Sequence, residues 1–253
     1  MKRFVNSVRN LSEWTSFWSW YYALKRPGSR AEELEIRLRG GLVARVPGAL
    51  MSAFDEVFLR EVYGRALSPP LGPAPVVIDI GANAGFFALQ VFARYRDARV
   101  VALEPLPAHV ALLRRQLELN PGLDFTVDPR AVCARAGTVE IRFDSRHGLS
   151  VAASLFPRAD ADGSLTVEAT TLVDLYATHG IGRCHLLKMD CEGAEYEILH
   201  HCPDDVFAAT DRIVLEAHDW VRDYGTIHDL ARLLQGKGYR VRNHKDEILT
   251  CKR

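Results

Sequence analysis

The apolar run Val76-Val77-Ile78-Asp79-Ile80 ends in an acid and is followed at once by Gly81-Ala82-Asn83-Ala84-Gly85 and then Phe86-Phe87. A buried strand, a glycine-spaced turn and an amphipathic segment, in that order, make the turn that brings backbone close to a nucleotide cofactor. The small residues let the main chain approach a ligand where a side chain would collide. The spacing is G-x-N-x-G, without the third glycine of the dinucleotide fingerprint, which disfavours a pyrophosphate ligand and with it a nicotinamide oxidoreductase. Glu104, at the end of the next apolar run and about 25 residues beyond Asp79, stands where such folds hold ribose hydroxyls. Open amides at the turn favour a carboxylate, and Asp79 attracts an ammonium. A ribose carrying an amino acid meets all three demands, so S-adenosylmethionine is the expected ligand of Asp79, Gly81, Asn83, Gly85 and Glu104.

A second group of ionisable residues follows two later apolar runs. Asp190 and Glu192 come after the strand expected at 185–190, and Glu216 and His218 end the strand expected at 211–217. Neighbouring parallel strands bring such ends together at the cofactor. His218 follows an acid two positions earlier on the same face and reads either as a general base near neutral pH or as a satisfied structural histidine. Asp190 reads either as a used carboxylate or as a helix cap, with Glu192 as the first-turn acid. Lys188 shares the face of Asp190 by strand alternation and can pair with it. Methyl transfer from a sulfonium is an in-line displacement whose acceptor must lose a proton, so Asp190, Glu216 and His218 are the candidate catalytic residues. Carboxylates beside a histidine also permit a divalent metal, but oxygen-ligand spacing is not diagnostic and no metal ligand is assigned.

Several motifs in fixed order resemble one family. His185-Leu186-Leu187-Lys188-Met189-Asp190-Cys191-Glu192-Gly193-Ala194-Glu195 is similar to the K-x-D-x-E-G-A-E signature of the FkbM methyltransferases, with Cys191 where valine is usual. Arg130-Ala131-Val132, Gly137-Thr138-Val139, Thr171-Leu172-Val173-Asp174 and Leu215-Glu216-Ala217-His218 fall in that family's order. The resemblance runs from about Asp79 to the C-terminus. It implies a class I, Rossmann-like α/β fold, a mostly parallel sheet with helices on both faces and an antiparallel C-terminal strand. It also implies Arg130 and Ala131 as further cofactor-lining residues, and a hydroxyl acceptor on a sugar, polyketide or other small metabolite. No D-P-P-Y or N-P-P-Y element, the usual companion of base amino methylation, occurs in the chain.

The elements that must position these residues alternate after residue 75. Strands are expected at 75–80, 99–104, 124–132, 137–144, 185–190, 211–217, 239–243 and 247–252, and helices at 84–95, 107–119, from 193, and at 225–236. Alternation of this kind makes a parallel sheet. The stretch 145–164, rich in Gly, Ser, Ala and Asp, is expected as a loop over the site or a mobile connection. The domain reading is an N-terminal appendage over 1–70 and a methyltransferase domain over 71–253.

Lys plus Arg and Asp plus Glu both count 32, so no global basic field attracts nucleic acid. Five scattered cysteines without a C-x-x-C pair suit reduced thiols and a cytoplasmic setting. Phe4, Val8, Leu11, Trp18 and Tyr22 form an aromatic stripe at helical spacing, bordered by Lys2, Arg3, Arg9, Lys25 and Arg26. The stripe packs on the domain or on a second copy of the chain, closes over the acceptor pocket, or lies on a membrane surface. A non-catalytic docking protein that keeps the fold is the alternative this stripe supports.

Overall fold

The computed structural model describes residues 33–144, 153–154, 162–218, 225–244 and 247–253. The aromatic stripe and most of the expected loop at 145–164 lie outside them. A hairpin of β1 (Glu33–Arg37) and β2 (Val43–Pro47) leads into α1 (Met51–Phe54), which continues as a wider helical turn over Asp55–Leu59. Then come β3 (Val76–Ile80), α2 (Phe86–Arg94), β4 (Arg99–Leu103), α3 (Pro107–Leu119) and β5 (Asp124–Asp128). Strands β6 (Ala131–Val132), β7 (Gly137–Phe143), β8 (Ala153–Ser154) and β9 (Gly163–Thr170) precede α4 (Leu172–Thr178). The chain continues with β10 (Leu186–Met189), α5 (Ala194–His201), α6 (Asp204–Ala208), β11 (Arg212–Glu216), α7 (Ile227–Gly236), β12 (Arg240–His244) and β13 (Ile248–Lys252).

The central sheet has seven strands in the order β12-β13-β11-β10-β3-β4-β5. Strands β5, β4, β3, β10 and β11 run parallel, and β13 is antiparallel to both its neighbours, the antiparallel C-terminal strand that the resemblance implies. Two expectations are corrected. The run 124–132 is not one strand: it breaks after Asp128, and Ala131–Val132 joins a separate four-stranded sheet of order β6-β9-β7-β8. Arg130 turns the chain there, with its backbone N–H and guanidinium both donating to Asp128. The eight-residue strand β9 was not expected either, because only its last two residues are buried and its polar exterior gives a weak signal.

Strand alternation divides the core into two layers. Ile78, Ile80, Val101, Leu103, Leu187, Met189, Ile213 and Leu215 face one way and pack with α4, α5 and α7. Val77, Val100, Ala102, Leu186 and Val214 face the other way, against α2 and residues 36–71. Ile36, Leu38, Leu50, Phe54 and Phe58 there are fully buried, at about 1.5–3 kcal/mol each for aliphatic and aromatic side chains. Residues on both sides of position 70 therefore share one core.

The hairpin is fastened by side chains that act as a third strand. Asn120, just past α3, exchanges hydrogen bonds with the backbone of Val43 at 2.8 and 2.7 Å, and Gln116 does the same with Arg45 at 3.0 and 2.7 Å. Positions four apart on a helix face the same way, so two amides meet the free edge of β2 and satisfy it.

Candidate functional site

A cleft enclosing about 680 Å³ of empty space, continuous with solvent, opens at the carboxyl ends of β3, β4 and β10. Of the residues expected around a cofactor, Gly81, Asn83, Glu104, Arg130 and Ala131 line it. Glu104 is nearly buried and accepts the backbone N–H of Asn83 at 2.9 Å on Oε2 and of Leu106 at 3.0 Å on Oε1. Each oxygen keeps a further acceptor site. The Oδ1 of Asn83 and the Nε2 of His109, both residues of the cleft lining, are buried with no hydrogen-bond partner among the described residues. Asn83 and Glu192 hold left-handed backbone at φ +50° and +55°, conformations that non-glycine residues adopt at a cost.

Asp79 and Gly85 do not line the cleft, and the reasons are physical. Asp79 is fully buried and sits beside Lys188 in the β3–β10 register, with Lys188 Nζ 3.0 Å from its Oδ1. The ammonium that Asp79 attracts is therefore the chain's own. Burial alone would lower the Lys188 ammonium, but Asp79 and Asp190 outweigh it and hold it above the usual lysine range. A Cβ on Gly85 would lie 2.7 Å from Leu113 Cδ2, so that glycine serves the packing of α2 on α3. Gly81 lines the cleft, and it also meets a packing demand: at φ +71° a Cβ would stand 1.9 Å from the backbone oxygen of Asp190, at the exit of β10. The turn's amides are also engaged, with Gly81 and Ala82 donating to Leu103 O and Gly85 to Ala82 O.

The three candidate catalytic residues do come together. Asp190 lines the cleft, and the Tyr63 hydroxyl stands 2.8 Å from Asp190 Oδ2 and 3.0 Å from Glu216 Oε2. Lys188 and Asp190, on alternate positions of β10 and its exit, share a face with Glu216 of β11, and residues 36–71 cover that face. Burial, and then the Asp190 carboxylate, push the Glu216 carboxyl up to about 7. Burial first and then both carboxylates push the Tyr63 phenol well above its usual range, so it stays protonated.

His218 departs from the expectation of a base near neutral pH. Its Nδ1 lies 3.3 Å from Glu195 Oε1, and its Nε2 lies 3.8 Å from Glu192 and 4.0 Å from Asp190. Burial alone would lower it, but Glu195, Asp190 and Glu192 outweigh burial and raise it to about 9. At neutral pH it is an imidazolium that compensates carboxylates. Glu195 is fully buried and accepts the backbone N–H groups of Cys191 and Gly193, so the capping role weighed for Asp190 falls to Glu195. Asp190, Glu195 and His218 offer atoms within 4.8 Å of one another. With Nδ1 and Glu195 committed to each other and to backbone, we read this trio as charge compensation.

Sequence reasoning missed Tyr63, His109 and the role of Glu195. Glu195 stood inside the quoted signature and could have been found as a first-turn acid two residues after Gly193. Tyr63 had no local signal, since it lies in a segment without periodicity.

The methyltransferase FkbM domain matches residues 79–241. The chain belongs to the FkbM methyltransferase family. Among FkbM-type relatives, the 31-O-demethyl-FK506 methyltransferase FkbM of Streptomyces tacrolimicus is 27% identical over 83% of this chain and 89% of its own length. The AMB antimetabolite synthetase AmbE of Pseudomonas aeruginosa is 31% identical over 85% of this chain, which spans only 12% of that protein. The magnesium protoporphyrin IX methyltransferase ChlM of Synechocystis, solved with bound SAM, aligns with a TM-score of 0.46 at 12% identity, over 81% of this chain and 83% of that one. Among the described residues, no helix is long and apolar enough to cross a membrane.

Proposed function

We propose that this FkbM-type methyltransferase moves a methyl group from S-adenosylmethionine to a hydroxyl oxygen of a small metabolite, a sugar or polyketide among the candidates. The observation that carries this reading is Asp190, a carboxylate in the cleft lining whose second oxygen is held from behind by Tyr63. The cofactor fits the cleft on three grounds. Glu104 keeps acceptor sites for a ribose diol, while Asn83 Oδ1 and His109 Nε2 offer buried polar atoms that have no partner among the described residues. Leu103, Leu106, Val132 and Ile141 supply an apolar wall for a base.

Bound S-adenosylmethionine supplies an electrophilic methyl on a sulfonium. The chain's residues do the rest: the apolar wall excludes water, Glu104 orients the ribose, and Asp190 Oδ1 takes the proton of the acceptor hydroxyl. A relative named for a 31-O-demethyl compound supports an oxygen acceptor. Calorimetry with S-adenosylhomocysteine, set against NAD, tests the cofactor half. Transfer of labelled methyl to panels of hydroxylated metabolites and glycans, read by mass spectrometry, tests the acceptor half. Binding without label on any hydroxyl, or label on nitrogen or carbon, sinks the oxygen assignment.

A further inference from the structure

Tyr63 carries one hydroxyl proton, yet its oxygen lies within hydrogen-bond distance of two carboxylates, Asp190 Oδ2 at 2.8 Å and Glu216 Oε2 at 3.0 Å. One hydroxyl donates once. When both carboxylates are ionised, the second contact is an unrelieved approach of two acceptors. It becomes a hydrogen bond only when one carboxyl holds a proton and donates it to the tyrosine oxygen. The arrangement thus accommodates one extra proton, at either end, without moving a heavy atom. The ends are unequal, because Asp190 lines the cleft while Glu216 does not.

We propose that Tyr63 is a positioning residue that passes the acceptor's proton from Asp190 to Glu216. The inference rests on the oxygen-methylation reading. In that step the acceptor oxygen bonds to the methyl as the sulfur–methyl bond breaks, its electrons staying on sulfur, and the hydroxyl proton goes to Asp190. The Asp190 carboxyl then turns to bring that proton from Oδ1 to the position facing Tyr63 and gives it to the Tyr63 oxygen, while Tyr63 gives its own to Glu216. Asp190 is left ionised and Glu216 neutral. The groups facing this pair are Glu56 from the helical turn after α1, Lys188 from β10, Asp79 from β3 and His218 from just beyond β11. Glu216's position near neutrality suits a terminal proton acceptor. The Tyr63 ring is fixed independently of its hydroxyl, edge-on to Phe87 with centroids 5.5 Å apart, so a phenylalanine keeps the packing.

Infrared titration of the full chain tests the shared proton without needing an acceptor. The wild type should show a carboxyl titrating near pH 7 that Glu216→Gln abolishes. Tyr63→Phe should move it to higher pH, because the ionised carboxylate loses a hydrogen bond. A midpoint that Tyr63→Phe leaves in place overturns the proposal. S-adenosylhomocysteine affinity should be unchanged in both variants, which also shows that they fold. With the hydroxylated acceptor that the labelled-methyl panel identifies, each variant should lose roughly ten- to a hundredfold in kcat at constant KM, and the double variant should lose no more than the worse single. Additive losses, or an effect confined to KM, mean a merely structural tyrosine. If the panel labels no hydroxyl, the oxygen reading fails while the titration still decides whether the proton is shared.

Discussion

Glu104 holds the turn through the Asn83 and Leu106 amides and is also the expected partner of the ribose. Glu104→Ala removes hydrogen bonds to a charged acceptor, worth about 1.5–3 kcal/mol each, so S-adenosylhomocysteine affinity should fall tenfold or more by calorimetry. Unchanged affinity in a folded variant would remove Glu104 from the cofactor site. His218 makes a pH prediction of definite sign. Its folded value of about 9 lies above the ordinary 6.5, so its contribution to stability, of order 3 kcal/mol at most, is complete below pH 6.5 and is lost as pH rises through 9. Glu216 also removes stability with rising pH, but its window closes by about pH 7. Between pH 7 and 8.5, below the range where unfolding would let the buried thiols Cys133, Cys184, Cys202 and Cys251 ionise, the melting temperature of the wild type should therefore fall more steeply than that of His218→Asn. Parallel curves would show that the histidine is not charged in the folded state.

At the scale of elements, the junction of β3 with α2 is set by the exit of β10. Gly81→Ala should destabilise far more than Gly40→Ala, although the two glycines have the same φ of +71°. Among the described residues nothing lies within 4 Å of a Cβ at Gly40, so that change costs the left-handed penalty of roughly 1–2 kcal/mol. At Gly81 the Asp190 carbonyl must move, and Asp190 moves with it. Urea denaturation of both variants measures the difference, and equal losses would mean that the strand end yields freely. The register of the same elements was partly legible in advance. Alternation placed Lys188 on the face of Asp190, and the structure adds Asp79 as its nearest carboxylate because β3 pairs with β10.

For the whole molecule, the segment before the sheet separates into two parts with different expected consequences. Deleting residues 2–26 removes none of the described core, so S-adenosylhomocysteine binding should survive. The aromatic stripe is proposed to close over the acceptor pocket, to join a second copy or to lie on lipid. Activity, sedimentation and liposome flotation of that truncated protein distinguish these uses, and no change in any of them defeats all three. Deletion through residue 70 is different, because Phe54, Phe58 and Leu59 are core residues and Tyr63 reaches the carboxylates. That protein should not fold, and a soluble, cooperatively melting product would contradict the shared core.

The sequence by itself determined the parallel sheet, the turn after β3, the acid after β4 and the family, because strand periodicity and strand-end motifs are local in the chain. It also placed Asp190, Glu216 and His218 at neighbouring strand ends. Only the tertiary structure decided the protonation of Glu216 and His218 and the partners of all three. Whether His218 is a base or a cation depends on Glu195, Glu192 and Asp190 converging on it, and Asp79 is withdrawn from the cleft by Lys188, over a hundred positions away. Tyr63 joins Asp190 and Glu216 across separations of 127 and 153 residues. Such contacts leave no periodic trace, since the tyrosine's neighbours in sequence carry no information about which sheet face its segment will cover.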